Sequence, residues 1–310
     1  MAIYKGNKKV VAVYKGSTPI NKIYKGNTLV FQKSGGGGST HLFEGTATGN
    51  FNMKINYNSI PITPDADGKW FYDTDEKITN LNNAFNYQNA VTSVDLSNLD
   101  LTGIPTNSMF SVSSNITSIK FNNTKSMKLQ HVSSMFYNCS RLVSLDLKSF
   151  DTSNLTSADY LFSGCWSLVS LDLSSFNTSN FSSANGLFSN CRSLVSLDLS
   201  NFNTSNLKDA KYAFYNCSSL RTLDLSSFNT SNFQNANSLF ANCSSLVSLD
   251  LSNFDMSKAT SYQDMFKDCT LLSTIKCKQS FKDWCITHQD TIKLPDAMRE
   301  GGSGTWEIIG

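Results

Sequence analysis

Apolar residues recur along most of the chain with a period of twenty-six residues. The two most regular series are one of phenylalanines and one of cysteines, at Phe136, Phe162, Phe188, Phe214, Phe240 and Phe266 and at Cys139, Cys165, Cys191, Cys217, Cys243 and Cys269. Such a period indicates a repeat architecture in which each unit buries its apolar face against its neighbours. The pattern therefore predicts a solenoid.

Within one unit, apolar and polar residues alternate, which is typical of a short strand with one buried face. We expect Leu171 and Leu173 to point inward, and Asp172 to point outward between Ser170 and Ser174. The unit thus contributes one strand to a parallel sheet.

The second half of the unit has apolar residues three to four apart, at Ala184, Leu187, Phe188 and Cys191. This spacing places them on one face of a helix of about eight residues. The polar residues 177–180 before it are suited to cap the helix. The fold class predicted is α/β, a right-handed leucine-rich-repeat solenoid with a strand and a short helix per coil.

The repeat weakens toward the start of the chain. Phe110 lies one period before Phe136, Phe85 lies twenty-five residues before Phe110, and residues 94–96 are an early copy of the strand. Six or seven coils are therefore expected, the first two degenerate. Atypical end units are usual in solenoids because a terminal coil must shield one face of the core from water.

The first 33 residues differ from the rest in charge and pattern. The 310-residue chain has a net charge of +2, yet residues 1–33 hold seven lysines and no acid. A Tyr-Lys-Gly motif recurs there at a ten-residue step, which predicts small β-hairpins that serve as an anchor through Tyr4, Lys5, Tyr14, Lys15, Tyr24 and Lys25. So short a segment cannot stand alone and should dock on a partner or oligomerise, for example as a trimer. Alternatively, the lysines only protect strand edges.

The sequence predicts five regions. They are a basic β-hairpin anchor or oligomerisation segment (1–33), a Gly/Ser linker (34–39), a β N-terminal cap (40–79), the solenoid (80–276) and a C-terminal cap (277–310). In the N-terminal cap, residues 51–57 and 69–72 read as strands joined by a Pro/Asp-rich hairpin turn. Residues 65–68 resemble part of a calcium loop, but the later glutamate is missing.

The C-terminal cap combines apolar residues with a final strand. Five residues are expected to cover the last coil: Phe281, Trp284, Ile286, Ile292 and Leu294. Residues 305–309 are expected to return to the sheet as a strand.

The cysteines and histidines are the candidates for chemistry. Stacking brings equivalent cysteines together, but no Cys-x-x-Cys pair indicates zinc, so buried thiols are the favoured interpretation over metal ligands or disulfides. Cys277 and Cys285 lie outside the series and are close enough in sequence to approach each other. His41, His131 and His288 form no acid/base constellation, and no nucleophile or phosphate-binding motif occurs. The sequence therefore predicts no enzyme, cofactor or metal site.

One outward-facing series is regular enough to bind a partner. It comprises Asp146, Asp172, Asp198, Asp224 and Asp250, the aspartate column, in which neighbours should lie about 5 Å apart. Adjacent carboxylates repel, so each needs a hydrogen bond or a cation. Two interpretations remain open: neighbouring hydroxyls satisfy the carboxylates, or the column binds a carbohydrate or a basic protein surface.

The repeat unit, as in residues 135–153, resembles the BspA-like leucine-rich repeats of bacterial surface proteins. That resemblance implies a solenoid and a role in adhesion or surface display. Residues 1–33 resemble the attachment segment of virion appendage proteins from tailed phages of gut Bacteroidetes. The sequence does not predict a signal peptide, because its start lacks a charged segment followed by an apolar run, and it does not predict a membrane span, because it has no stretch of about 20 apolar residues.

The leading hypothesis is a phage virion surface protein made in the host cytoplasm. It would bind other virion proteins through residues 1–33 and a host-surface protein or glycan through the solenoid, with no nucleic acid and no membrane insertion. The alternative is a cellular BspA-like adhesin at the bacterial surface.

Overall fold

The structure is a computed structural model that describes residues 41–122 and 126–309, together with the backbone of four short strands before them. These strands are β1 (Tyr14–Lys15), β2 (Thr18–Pro19), β3 (Lys22–Lys25) and β4 (Thr28–Gln32). β1 pairs antiparallel with β2, and β3 with β4, so the predicted small β modules are confirmed. Tyr14, Lys15, Tyr24 and Lys25 lie on these strands. Tyr4, Lys5 and the predicted linker lie outside the described residues.

The N-terminal cap joins the first coils through one mixed sheet. Its four strands are β5 (Phe43–Ala47), β8 (Lys69–Tyr72), β9 (Val91–Leu96) and β10 (Ser118–Phe121), while β6 (Phe51–Ile55) and β7 (Asn58–Ile62) form a separate two-stranded sheet. β5 runs antiparallel between β8 and β9, and β9 runs parallel to β10. The cap strand β5 is thus hydrogen-bonded to the first strand of the solenoid.

The hairpin predicted between residues 51–57 and 69–72 is wrong. β6 pairs with β7, because Asn56 and Tyr57 adopt positive φ and close a tight turn, while β8 pairs with β5. Residues 65–68 do form a turn, in which Oδ1 of Asp65 accepts hydrogen bonds from the backbone N–H of Asp67 and Lys69. The Asp65 carboxylate therefore serves to close that turn.

The coils carry the remaining strands. These are β11 (Met127–Lys128), β12 (Phe150–Asp151), β13 (Thr222–Asp224), β14 (Ser248–Asp250), β15 (Thr274–Lys278) and β16 (Thr305–Ile309). β13 to β16 form one parallel sheet, and β11 pairs parallel with β12. About seven coils stack, which confirms the solenoid prediction.

The phenylalanine series forms one continuous stack through the core. The rings of Phe136 and Phe162 lie 5.8 Å apart and 3° from parallel. The stack runs from Phe85 to Phe266, with ring-centroid separations from 5.3 to 5.9 Å. Leu171 and Leu173 are also buried, as predicted. Because each ring covers the next, each coil removes its neighbour's apolar surface from water.

The short helix predicted in each coil is absent from the described coils, where tight turns replace it. Ala184, Leu187, Phe188 and Cys191 share the buried face as expected, but residues such as Asn190 adopt positive φ. A left-handed residue cannot continue an α-helix. The equivalent positions are occupied by residues that tolerate this conformation: Asn138, Gly164, Asn190, Asn216, Asn242 and Asp268.

The turn segments also bond coil to coil. The backbone N–H of Tyr160 donates to the carbonyl of Asn185, and that of Phe162 to Leu187, in the following coil. Buried threonines also bond to the next coil, as the Thr178 hydroxyl does by donating to the Asn203 carbonyl. These bonds satisfy backbone groups that a helix would have satisfied internally.

The C-terminal cap closes the last coil. Helix α1 (Gln279–Thr287) buries Phe281 against the core, and β16 pairs with β15 as predicted. Ile292 and Leu294 are fully buried, and Trp284 and Ile286 are partly buried. A 3-10 helix (Asp296–Met298) leads into the final strand. Among the described residues, no helix is long and apolar enough to cross a membrane.

Candidate functional site

The aspartate column lies at equivalent positions of successive coils. Asp224 is paired in register with Asp250, and Asp250 with Lys276. In every coil, Oδ1 of the aspartate accepts a hydrogen bond from the backbone N–H two residues later, as between Asp198 and Ser200 at 3.0 Å. Each aspartate therefore closes the turn that ends its strand segment.

Serine hydroxyls and lysines supply further partners to the column. The Ser174 hydroxyl donates to Asp172 at 2.7 Å, and the Ser252 hydroxyl donates to Asp250. Lys276 continues the column at one end and donates to Oδ2 of Asp250 at 2.8 Å. Neighbouring hydroxyls therefore satisfy carboxylates of the column, as the first of the two interpretations expected. Binding of a partner by the column stays a prediction.

The hydrogen bonds shift the acidity of the column. Donation from the Ser174 hydroxyl and N–H lowers the pKa of Asp172, and the N–H and hydroxyl of Ser200 lower the pKa of Asp198. Partial burial acts to raise the pKa of Asp250, but the bonds from Lys276 and Ser252 outweigh it, so this pKa is also lowered. All three carboxylates are thus ionised at neutral pH.

A row of exposed valines, Val143, Val169 and Val195, flanks the aspartate column. Each side chain is about half exposed, at 53%, 47% and 48% respectively. Trp166, also exposed, lies one coil before Arg192, whose guanidinium carbon is 5.0 Å from the centroid of the indole ring. The Val195 N–H donates a hydrogen bond to the Val169 carbonyl at 3.3 Å, so these two valines lie side by side on neighbouring coils.

The cysteine series has a structural role in the core. Each thiol donates to the carbonyl of a phenylalanine in the preceding coil, as Cys165 does to Phe136 at 3.2 Å. Burial raises the pKa of every cysteine, and for Cys277 to about 11. All eight cysteines, including Cys277 and Cys285, are buried free thiols.

The histidines take part in local packing. The ring of His41 forms a hydrogen bond with Asp73 at 2.7 Å and stacks on Phe71, while the ring of His288 forms a hydrogen bond with the carbonyl of Trp284. Within residues 41–122 and 126–309, no group of three histidine, cysteine or acidic side chains is arranged to hold a metal ion.

The face of the solenoid formed by the turn segments has a groove that was not predicted from the sequence. We call it the tyrosine groove. It has a volume of about 510 Å³ and is lined by Tyr160, Tyr212, Tyr215, Asn190, Asn242 and Asp264, with smaller side chains and Lys267 between them. The signal was present in the sequence, because Tyr160 and Tyr212 occupy a repeat position held by serine in other coils, at Ser134 and Ser238. It appears only when equivalent positions are compared across coils.

The fold and these surfaces define a class: a repeat solenoid of the surface or binding type. A model of the family described as "Mycoplasma protein of unknown function, DUF285" matches residues 67–170, 104–223 and 160–284. The chain therefore belongs to this family, and the match supports the BspA-like resemblance of the repeats. A comparison with curated proteins finds no match.

Proposed function

We propose that the chain is a non-catalytic binding protein that displays its solenoid on the surface of a phage virion. The observation that carries the binding role is the exposed row of Val143, Val169 and Val195 beside the aspartate column. The row is held by stacked coils and is therefore rigid, which lowers the entropy cost of binding a partner.

The virion location is supported by the start of the chain. Residues 1–33 are lysine-rich and resemble the attachment segment of phage appendages, and their described strands pair as separate two-stranded sheets. In this proposal the segment is an anchor that binds other virion proteins. The eight free thiols also suit a protein assembled in a reducing cytoplasm, where disulfides are rare.

A cellular adhesin of BspA-like type is the competing proposal, favoured by the repeat family itself. The two proposals differ in what residues 1–38 do. A chain lacking these residues should stay folded but no longer co-purify with particles recovered from a lysate, whereas the full chain should co-purify at constant stoichiometry. Full chain that never sediments with particles, yet binds host cells with or without residues 1–38, would establish the adhesin instead.

The role of the aspartate column is tested separately with Asp172, Asp198 and Asp224 replaced together by asparagine. Asparagine keeps an Oδ1 acceptor for the turn N–H groups, so the fold is retained while three charges are removed. If the column binds a cationic partner, binding of the purified chain to host cells should weaken at least tenfold. Unchanged binding would show that the column only closes turns.

A further inference from the structure

The tyrosine groove is built from side chains in fixed positions. The Tyr212 and Tyr215 rings meet edge to face, with centroids 5.7 Å apart and planes at 84°. The Asn216 amide donates to Oδ1 of Asn190 at 2.8 Å, and the Asn190 amide donates to the Ser189 hydroxyl at 3.0 Å. The aromatic faces and the amide are therefore oriented before any ligand arrives.

The backbone of the groove is unusual for the residues it carries. Tyr160 and Tyr212 have φ of 56° and 58°, in the left-handed region, where a bulky side chain is strained. Gly186 occupies the equivalent position between them, and a Cβ there would lie 2.5 Å from Cδ1 of Tyr160. The glycine thus leaves the space in which the Tyr160 ring lies. The same repeat position has positive φ in other coils, at Ser134, Ser238 and Asp264, so this turn belongs to the repeat and the groove differs in the side chains it carries.

The lining selects one class of ligand. The groove offers three tyrosine rings, two asparagine amides and one carboxylate, and Ala241 is its sole aliphatic member. A peptide needs apolar pockets for its anchoring side chains, and this groove is open and lacks them. Asp264 and Lys267 carry opposite charges, so the groove favours neither an anion nor a cation.

A pyranose sugar matches these features. Its flat C–H face packs on an aromatic ring, while its hydroxyls both donate and accept hydrogen bonds, as amides and carboxylates require. The volume of about 510 Å³ lies within the roughly 300–1,000 Å³ typical of small-molecule sites. The lining extends from the coil of Tyr160 to that of Asp264, on the order of 20 Å at strand-like spacing.

We propose that the tyrosine groove binds a neutral oligosaccharide of pyranose units. The inference rests on the proposed binding role of the solenoid and adds to it a second surface with its own ligand class. Tyr160, Tyr212 and Tyr215 provide the stacking surfaces, and Asn190, Asn242 and Asp264 bond the sugar hydroxyls. The valine row and aspartate column are formed by the strand segments, so the groove is a separate surface.

The test uses the full chain on a printed array of neutral and acidic oligosaccharides, with Tyr212→Ala and Tyr215→Ala as variants. We expect neutral pyranose oligosaccharides to bind, and each variant to lose at least tenfold in affinity. Tyr212→Phe, which keeps the ring, should retain most of the binding. The matched control is Tyr87→Ala, since Tyr87 is an exposed tyrosine with φ of 59° outside the groove.

Three results would overturn the inference: no binding to any arrayed oligosaccharide, selective binding of acidic oligosaccharides, or sugar binding that both alanine variants retain. Particle association through residues 1–38 does not depend on the groove. A chain that joins particles but fails on the array therefore refutes the carbohydrate site alone, whereas a chain that binds neither particles nor cells refutes the proposed function.

Discussion

The Thr178 hydroxyl donates a hydrogen bond to the Asn203 carbonyl at 3.1 Å and accepts one from the Asn203 N–H at 2.8 Å. Thr178 is buried, and the same donation to the next coil is repeated at Thr152, Thr204 and Thr230. One side chain thus satisfies both backbone groups of a residue in the next coil. The threonine series holds the coils in register alongside the phenylalanine stack.

Replacing Thr178 by valine should lower the free energy of unfolding by about 1–3 kcal/mol, because the Asn203 backbone groups lose their partner. Valine has a similar shape, so packing changes little. Urea denaturation followed by circular dichroism measures the effect, with Thr178→Ser as the control that keeps the hydroxyl. Equal stability of the valine and serine variants would show that the clamp contributes nothing.

Alkaline pH should destabilise the protein through its buried thiols. Their pKa values are raised by burial, so above about pH 8.5 the thiols of the unfolded chain lose protons while those of the folded chain keep them. The stabilisation is complete below the pKa of the unfolded thiol and is lost as pH rises. Each such thiol should lower the free energy of unfolding by about 1.4 kcal/mol per pH unit in this range.

The measurement is the urea midpoint between pH 7 and 9.5. A Cys191→Ala variant removes one thiol and should show a shallower decline with pH, whatever its stability at pH 7. A midpoint that does not fall above pH 8.5, or an identical decline in the variant, would contradict the assignment of these thiols as buried and protonated.

Asp172→Ala should destabilise the protein more than Asp172→Asn, because asparagine still accepts the Ser174 N–H. The lowered pKa of Asp172 means that the carboxylate stabilises the fold above the unfolded value near 4. This contribution is lost as pH falls through the folded pKa. The difference in free energy of unfolding between wild type and Asp172→Asn should therefore shrink below pH 4. A difference that grows there would contradict a stabilising, hydrogen-bonded carboxylate at Asp172.

At Asn216, which has φ of 57°, alanine and glycine should have different effects. Both substitutions remove the side-chain amide of Asn216, but only glycine adopts positive φ without strain. We expect Asn216→Ala to be less stable than Asn216→Gly by roughly 1 kcal/mol in urea denaturation. In a helix the order would reverse, since alanine is the better helix former.

The period of the phenylalanines predicted the solenoid, because a fixed step leaves stacking as the way to bury every unit. The helix was wrong because spacings of three and four residues, as in Ala184, Leu187 and Phe188, also fit consecutive tight turns. Asn190 and its equivalents are residue types that tolerate positive φ, and they therefore indicated turns in place of a helix. The tyrosine groove could not be predicted from the linear order of the residues, since Tyr160 and Tyr212 come close only after the coils stack.

The most direct test of coil stacking is a deletion of one period. Removing residues 166–191 joins Cys165 to Arg192 and leaves every later phenylalanine in register, whereas removing residues 166–178 shifts them by half a coil. We predict that the 26-residue deletion unfolds cooperatively in urea with a native-like circular dichroism spectrum, and that the 13-residue deletion loses both. Equal behaviour of the two deletions would contradict a core built from coils in register.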